Sequence, residues 1–124
     1  MKIVIIESPL AGDFERNRRY ALWCAYHCRT RGEASYASHL YYTQFLDDRS
    51  DEDRAFGIAA GTALSKFGSL IAFYLDLGWS TGMADQRDRI LQGGLNMPYE
   101  HRQLPLGMMH AFQQGCSPNA TPGF

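Results

Sequence analysis

The stretch "SLIAFYLDLGWSTGM", residues 69–83, decides the fold class of this chain. Its first half is continuously apolar, which predicts a β-strand that is covered on both faces of a sheet. The chain then turns through Gly78, and Ser80 has the side chain of a helix N-cap. A buried strand that turns directly into a helix is typical of parallel α/β domains, which bind ligands at such turns.

The segments on either side continue the alternation of strands and helices. "KIVIIES", residues 2–8, is a second continuously apolar run and predicts the other central strand, beside the strand that follows residue 69. Two short strands and three helices are also predicted, the strands over residues 33–38 and 97–104 and the helices over 13–31, 50–66 and 80–91. This order predicts a small Rossmann-like or flavodoxin-like α/β domain of three layers, with a mainly parallel sheet of four to five strands.

Length and charge limit the classes of protein that fit this sequence. The 124 residues fit one domain, predicted over 1–105, with a C-terminal extension over 106–124 that is loose from residue 115 onward. The net charge of −1 gives no general field for nucleic acid or an anionic membrane, so neither is expected as a partner. No apolar run approaches the roughly 18 residues of a spanning helix, and no signal peptide is recognisable. A cytoplasmic protein is therefore predicted.

The three cysteines argue against a secreted disulfide scaffold, because their number is odd and their spacing matches no framework. Cys24 and Cys28 are four residues apart on one helix face, and His27 lies beside them in sequence. Since His27 points about 100° away from either cysteine, buried free cysteines are favoured over a metal site. No metal and no cofactor are expected.

The first helix carries more apolar surface than one stripe requires. Tyr20, Trp23 and Tyr26 widen its apolar face, so either this helix is deeply packed or part of it meets a partner subunit. A homodimer or larger assembly is predicted, with these aromatic residues at or near the interface. In the second helix, Gly57 and Gly61 permit close packing on the sheet. One side of that helix is apolar and is formed by Phe56, Ala60, Ala63, Leu64 and Phe67.

Three segments reach the edge of the sheet where the carboxyl ends of parallel strands meet. After the first strand, Glu7 and Ser8 offer acceptors and a hydroxyl, while Pro9 and Gly12 shape the turn. After the second strand, His39 and Tyr42 are candidates to stack on or read a planar base. The third segment is a helix start, Ser80-Thr81-Gly82, with no acidic residue before Asp85. Unpaired backbone N–H groups there favour an anion or a carbonyl group.

We expect Asp76, Ser80, Thr81 and Gly82 to line a ligand pocket that faces Ser8 and Pro9. The same residues also fit purely structural roles. Ser80 also fits an ordinary N-cap, and Asp76 fits a turn cap. His39 and Tyr42 fit the packing of a loop.

Four stretches of the sequence carry a family resemblance. They are "IESPLAGDFERN" (6–17), "RGEASYASHLYYTQFLDD" (31–48), "RAFGIAAG" (54–61) and "YLDLGWSTGM" (74–83). They resemble an uncharacterised family of small phage and bacterial domains, which looks like a branch of the nucleoside 2-deoxyribosyltransferase superfamily. The resemblance implies the α/β fold, a nucleoside or nucleotide ligand and a homo-oligomer. It covers about residues 3 to 104.

The resemblance also assigns roles at the start of the third helix. Enzymes of that superfamily attack the anomeric carbon with a glutamate four residues after a glycine like Gly82. Here that position is Gln86, which cannot form the glycosyl ester, and an orienting aspartate of those enzymes maps to Ser80. A nucleoside- or nucleotide-handling protein is therefore expected. If it cleaves an N-glycosidic bond, the candidate catalytic acids are Glu7, Asp76 and Asp85. The alternatives are a non-catalytic module that sequesters or senses a nucleotide, and a phage-type protein that binds a host protein through its first helix.

Overall fold

The computed structural model describes residues 1–120. The strands are β1 (Ile3–Glu7), β2 (Ala34–Tyr36), β3 (Leu70–Tyr74) and β4 (Tyr99–Arg102). The α-helices are α1 (Phe14–Thr30), α2 (Ser38–Tyr41), α3 (Asp51–Ser65), α4 (Thr81–Leu91) and α5 (Leu106–Gln113). Two 3-10 helices cover Tyr42–Gln44 and Pro118–Ala120. Within residues 1–120, every helix is too short or too polar to cross a lipid bilayer.

The four strands form one all-parallel sheet in the order β2-β1-β3-β4. β1 and β3 are the central neighbours, with Ile5 opposite Ile71 and Ile6 opposite Ala72. Both strands are continuously apolar because helices cover each face of a parallel sheet. The predicted three-layer α/β fold, and the adjacency of its two central strands, are confirmed.

Alternation along the strands divides the core into two layers. Even-numbered residues such as Val4, Ile6 and Tyr74 pack with α1 and α5 on one face of the sheet. Odd-numbered residues such as Ile5 and Phe73 pack with α4 on the other face. Because side chains alternate with a period of two, neighbouring residues of a strand point to opposite faces. This alternation places Glu7, the last residue of β1, on the face that packs with α4.

Two aromatic residues of α1, Tyr20 and Trp23, are buried within the chain. Tyr20 packs on Phe112 of α5 with ring centroids 5.4 Å apart, and Trp23 Nε1 donates to the Cys116 carbonyl at 2.8 Å. Tyr20 and Trp23 are fully covered, so the prediction that they face a second subunit is wrong. The reason is α5, an unpredicted helix that covers them. The predicted loose tail covers residues 115–124, and residues 121–124 lie outside the described part of the chain.

The cysteines of α1 belong to the same core. Cys24 and Cys28 are free and buried, as predicted. Cys28 Sγ lies 3.5 Å from the hydroxyl of Tyr74, and burial raises the pKa of its thiol. These residues therefore fill the layer between α1 and the sheet.

Helix α3 lies away from the sheet. The side of α3 that was predicted to face the sheet is largely exposed, since Phe56 is 58% and Phe67 77% accessible. Ser65 is the one buried residue of the helix. The segment 38–44, for which the sequence predicts no helix, is helical and contacts α3. A Cβ on Gly61 would lie only 3.0 Å from Ser38 Oγ, so the glycine permits close packing on α2 rather than on the sheet. This arrangement leaves a cleft between α3 and α4.

Candidate functional site

A cleft of about 500 Å³ opens at the carboxyl end of β1, between α3 and α4. Ligand sites in proteins are concave and usually enclose roughly 300–1,000 Å³. Four parts of the chain line the cleft: the end of β1 with the turn after it, the segment 38–48, one side of α3 and one side of α4. Its polar lining comprises Glu7, Ser8, Ser38, His39, Tyr42, Thr43, Asp48, Asp53, Arg54, Thr62, Ser65, Ser80, Thr81, Asp85, Gln86 and Arg89.

Most of the residues predicted from sequence lie together in this cleft. They are Glu7, Ser8, His39, Tyr42, Ser80, Thr81, Gly82, Asp85 and Gln86. Pro9 and Gly12 do not line it. Gly12 has a φ of 100°, which makes it the turn residue before α1. Asn17 holds this turn, because its buried amide donates to the carbonyls of Leu10 and Ala11 at 3.1 and 3.0 Å.

Asp76 lies on the opposite side of the sheet, so the prediction that it lines the cleft is wrong. Its carboxylate accepts from the Tyr20 hydroxyl at 2.5 Å and from the Leu104 backbone N–H at 3.0 Å. Position 76 has the parity of Tyr74, which faces α1, whereas the cleft lies on the face of Phe73. Asp76 therefore ties β3 to α1 and to the chain after β4.

Glu7 has the parity of the cleft face and ends β1 there. Burial raises the pKa of its carboxyl to about 7, although Arg89 acts in the opposite direction. No residue among 1–120 donates a hydrogen bond to this carboxyl, which agrees with a group that is largely desolvated. Near neutral pH it is present in both protonated and ionised forms, so it can donate or accept a proton.

His39 and Ser8 form a close polar pair beside Glu7. The Ser8 Oγ lies 2.7 Å from His39 Nε2. Burial lowers the pKa of His39 to about 4, so the imidazole is neutral at physiological pH. The pair thus offers donors and acceptors without a positive charge, and the imidazole contributes no cation for a phosphate.

The N-terminus of α4 points its unpaired backbone donors at the cleft. Ser80 is the N-cap, and its side chain accepts from the Met83 N–H at 3.2 Å. The first turn contains no acidic residue. The N–H groups of Thr81 and Gly82 come before the first intrahelical bond, so they are available to an acceptor on a ligand.

Gln86 lies at the base of the cleft and is 4% exposed. Its Nε2 is 3.4 Å from Ser65 Oγ, and its Oε1 accepts from Arg89 Nη1 at 3.0 Å. The Arg89 guanidinium also donates to Thr62 Oγ1 at 3.3 Å. The amide therefore joins α4 to α3 and fixes the floor of the cleft without adding a charge.

Sequence reasoning missed Thr62, Ser65 and Arg89. Arg89 follows Gln86 by three residues, so helical spacing alone places the two on one face of α4. Thr62 and Ser65 have no such signal, because they reach the cleft only through the position of α3. Within the described part of the chain, no group of three or more histidine, cysteine, aspartate or glutamate side chains is arranged to hold a metal ion.

Comparison with known protein families gives a match. The model of a family described as "Domain of unknown function (DUF7768)" matches residues 2–102. The matched region contains the four strands and all of the residues that line the cleft. No curated protein and no solved structure matches the chain significantly.

Proposed function

We propose that this chain, which belongs to the DUF7768 family of domains of unknown function, binds a nucleoside or nucleotide in the cleft between α3 and α4. The observation that carries the proposal is the meeting of three kinds of group in one cavity. These are the backbone donors of Thr81 and Gly82, the sugar-binding candidates Glu7 and Gln86, and the aromatic ring of Tyr42. A phosphate or carbonyl, a sugar and a base each require one of these kinds of group.

The shape and charge of the cleft support a ligand with both polar and ring-shaped parts. Tyr42 stacks edge to face on Tyr41 and Phe56, so its ring has a fixed position beside the opening. Arg54 and Arg89 are positive, while four carboxyl groups line the same cleft. A mixed lining of this kind suits an uncharged nucleoside or a monophosphate better than a strongly anionic polyphosphate. The resemblance to nucleoside 2-deoxyribosyltransferases supports the same class of ligand.

Gln86 determines what the cleft can do to such a ligand. An amide can hydrogen-bond a sugar hydroxyl, but it cannot attack the anomeric carbon and leave as a carboxylate. This amide is also held by Ser65 and Arg89. The protein is therefore proposed to bind a nucleoside or nucleotide better than it turns one over.

Replacing Gln86 by glutamate is expected to create or raise base release. The new carboxylate would lie beside Arg89, whose positive charge keeps it ionised and therefore nucleophilic. Chromatography of nucleosides and nucleotides incubated with each protein measures free base. Gln92→Glu is the matched control, because residue 92 follows α4 outside the cleft.

Fast base release by the unmodified protein would contradict a role limited to binding. It would instead favour the second candidate function, cleavage of the N-glycosidic bond with Glu7 as proton donor. The pKa of Glu7 near 7 is the observation behind that candidate. Its rate would fall as the pH rises through 7 and would be lost in Glu7→Gln.

A further inference from the structure

Helix α3 has an apolar outer face that nothing in residues 1–120 covers. A shallow groove runs along it, lined by Ala55, Ile58, Ala59, Thr62, Ala63 and Lys66, with Arg89 of α4 beside it. These α3 positions follow the spacing of one helical stripe. Ile58 lies on this stripe, and Phe56 and Phe67 flank it on one side; all three large side chains are exposed. An exposed stripe of apolar residues with large apolar neighbours marks an interaction surface.

The two ends of this stripe carry opposite charges. The first turn of α3 has Asp51, Glu52 and Asp53, whereas Lys66 and Arg89 lie at the other end. Small residues occupy the middle, which lets a second helix approach closely. A surface that is acidic at one end and basic at the other is complementary to itself when two copies run antiparallel.

We propose that two copies of this chain form a homodimer through antiparallel packing of their α3 helices. In that arrangement the middle of the stripe lies on the twofold axis, so Ala55 of one copy faces Lys66 of the other. Ala59 faces Thr62 across the same axis. Glu52 is three residues from Ala55, about 4.5 Å along the helix, so the Lys66 ammonium of the second copy can reach its carboxylate.

The dimer would also complete the wall of the cleft. Ile58, Thr62 and Arg89 line both the groove on the outside of α3 and the cleft on its inside. A second copy seated on the groove therefore holds the thin wall that these residues form. This places the interface beside the candidate ligand site, although the dimer stands on its own observations and does not require that ligand.

Sedimentation velocity over a micromolar concentration range tests the proposal. The unmodified chain of 14.0 kDa is expected to sediment with twice that mass. Ala59→Arg puts a bulky charge at the middle of the stripe and is expected to weaken dimerisation by about 100-fold or more. Leu106→Arg is the matched control, because Leu106 is 89% exposed but belongs to α5, and it should leave the dimer unchanged.

Charge reversal tests the antiparallel register. Lys66→Glu alone is expected to weaken dimerisation by about 10-fold, because it meets Glu52 of the second copy. Adding Glu52→Lys restores the opposite charges and should restore the dimer. Thermal unfolding by circular dichroism checks that each variant is folded. The proposal is overturned by a monomeric unmodified chain, including one that binds a different protein instead, or by a dimer that persists in folded Ala59→Arg.

Discussion

Replacing Arg102 by alanine is expected to lower the free energy of unfolding by about 3 kcal/mol, because it leaves the buried Glu33 carboxylate with only the half-exposed Arg31, at 3.4 Å, as its ion-pair partner. Both terminal nitrogens of Arg102 bond Glu33 at 2.8 Å, and one of them also bonds Glu100 at 2.8 Å. The guanidinium is buried and donates to the Tyr74 hydroxyl at 3.2 Å as well. The Arg102 side chain therefore connects β4 with the residue that precedes β2 and with the end of β3.

Urea denaturation of the two proteins measures this loss. Arg49→Ala is the matched control, because Arg49 pairs with Asp47 on the surface and its side chain is 92% exposed. Exposed pairs of this kind contribute little to stability, so the control should be nearly as stable as the unmodified protein. An Arg102→Ala protein that loses no more stability than Arg49→Ala would show that the buried network does not hold the sheet together.

Replacing Glu7 by glutamine is expected to stabilise the protein at high pH and to have little effect at low pH. Burial raises the pKa of Glu7 to about 7 from an ordinary value of 4.5. Below pH 4.5 the carboxyl is protonated in both the folded and the unfolded chain, so its ionisation has no influence on stability. Between pH 4.5 and 7 the unfolded chain ionises first, and the free energy of unfolding falls as the pH rises.

Above pH 7 the folded protein carries the full penalty of a buried charge, which glutamine removes. A difference of this size in pKa corresponds to about 3 kcal/mol. Urea denaturation at pH 4 and at pH 8.5 measures the difference between the two proteins at each pH. Glu15→Gln is the control for an exposed glutamate at the start of α1. An equal difference at both pH values would mean that Glu7 is not a desolvated carboxyl.

The central strands could be predicted because a parallel sheet covered on both faces imposes a continuous apolar run. Ser50 and Ser80 likewise marked the starts of α3 and α4, since each supplies an N-cap oxygen to a first-turn N–H. The side on which a helix is covered is harder to predict. Spacing shows that Phe56, Leu64 and Phe67 share one side of α3, but it does not say whether the sheet, another element or a second molecule lies against that side.

Some residues of the candidate site could likewise be predicted from the sequence, and others could not. Residues directly after β1 and at the start of α4 could be assigned to one edge, because parallel strands bring their carboxyl ends together. Asp76 also follows the carboxyl end of a parallel strand. Because neighbouring residues point to opposite faces of the sheet, its side chain lies on the α1 face instead of in the cleft. Ser65 and Thr62 come from the middle of a helix and depend on how α3 is seated on α2. Their place in the cleft is therefore a tertiary property with no local sequence signal.

The central claim, that the cleft between α3 and α4 is a nucleoside or nucleotide site, is tested most directly by nuclear magnetic resonance. Nitrogen-labelled protein is titrated with a panel of nucleosides, their 5′-monophosphates and the free bases. With at least one compound, the backbone amides of Thr81 and Gly82 and the side-chain amide of Gln86 are expected to shift and saturate, while those of α5 stay in place. Cleft amides that do not move with any compound, or shifts confined to another surface, would contradict the claim.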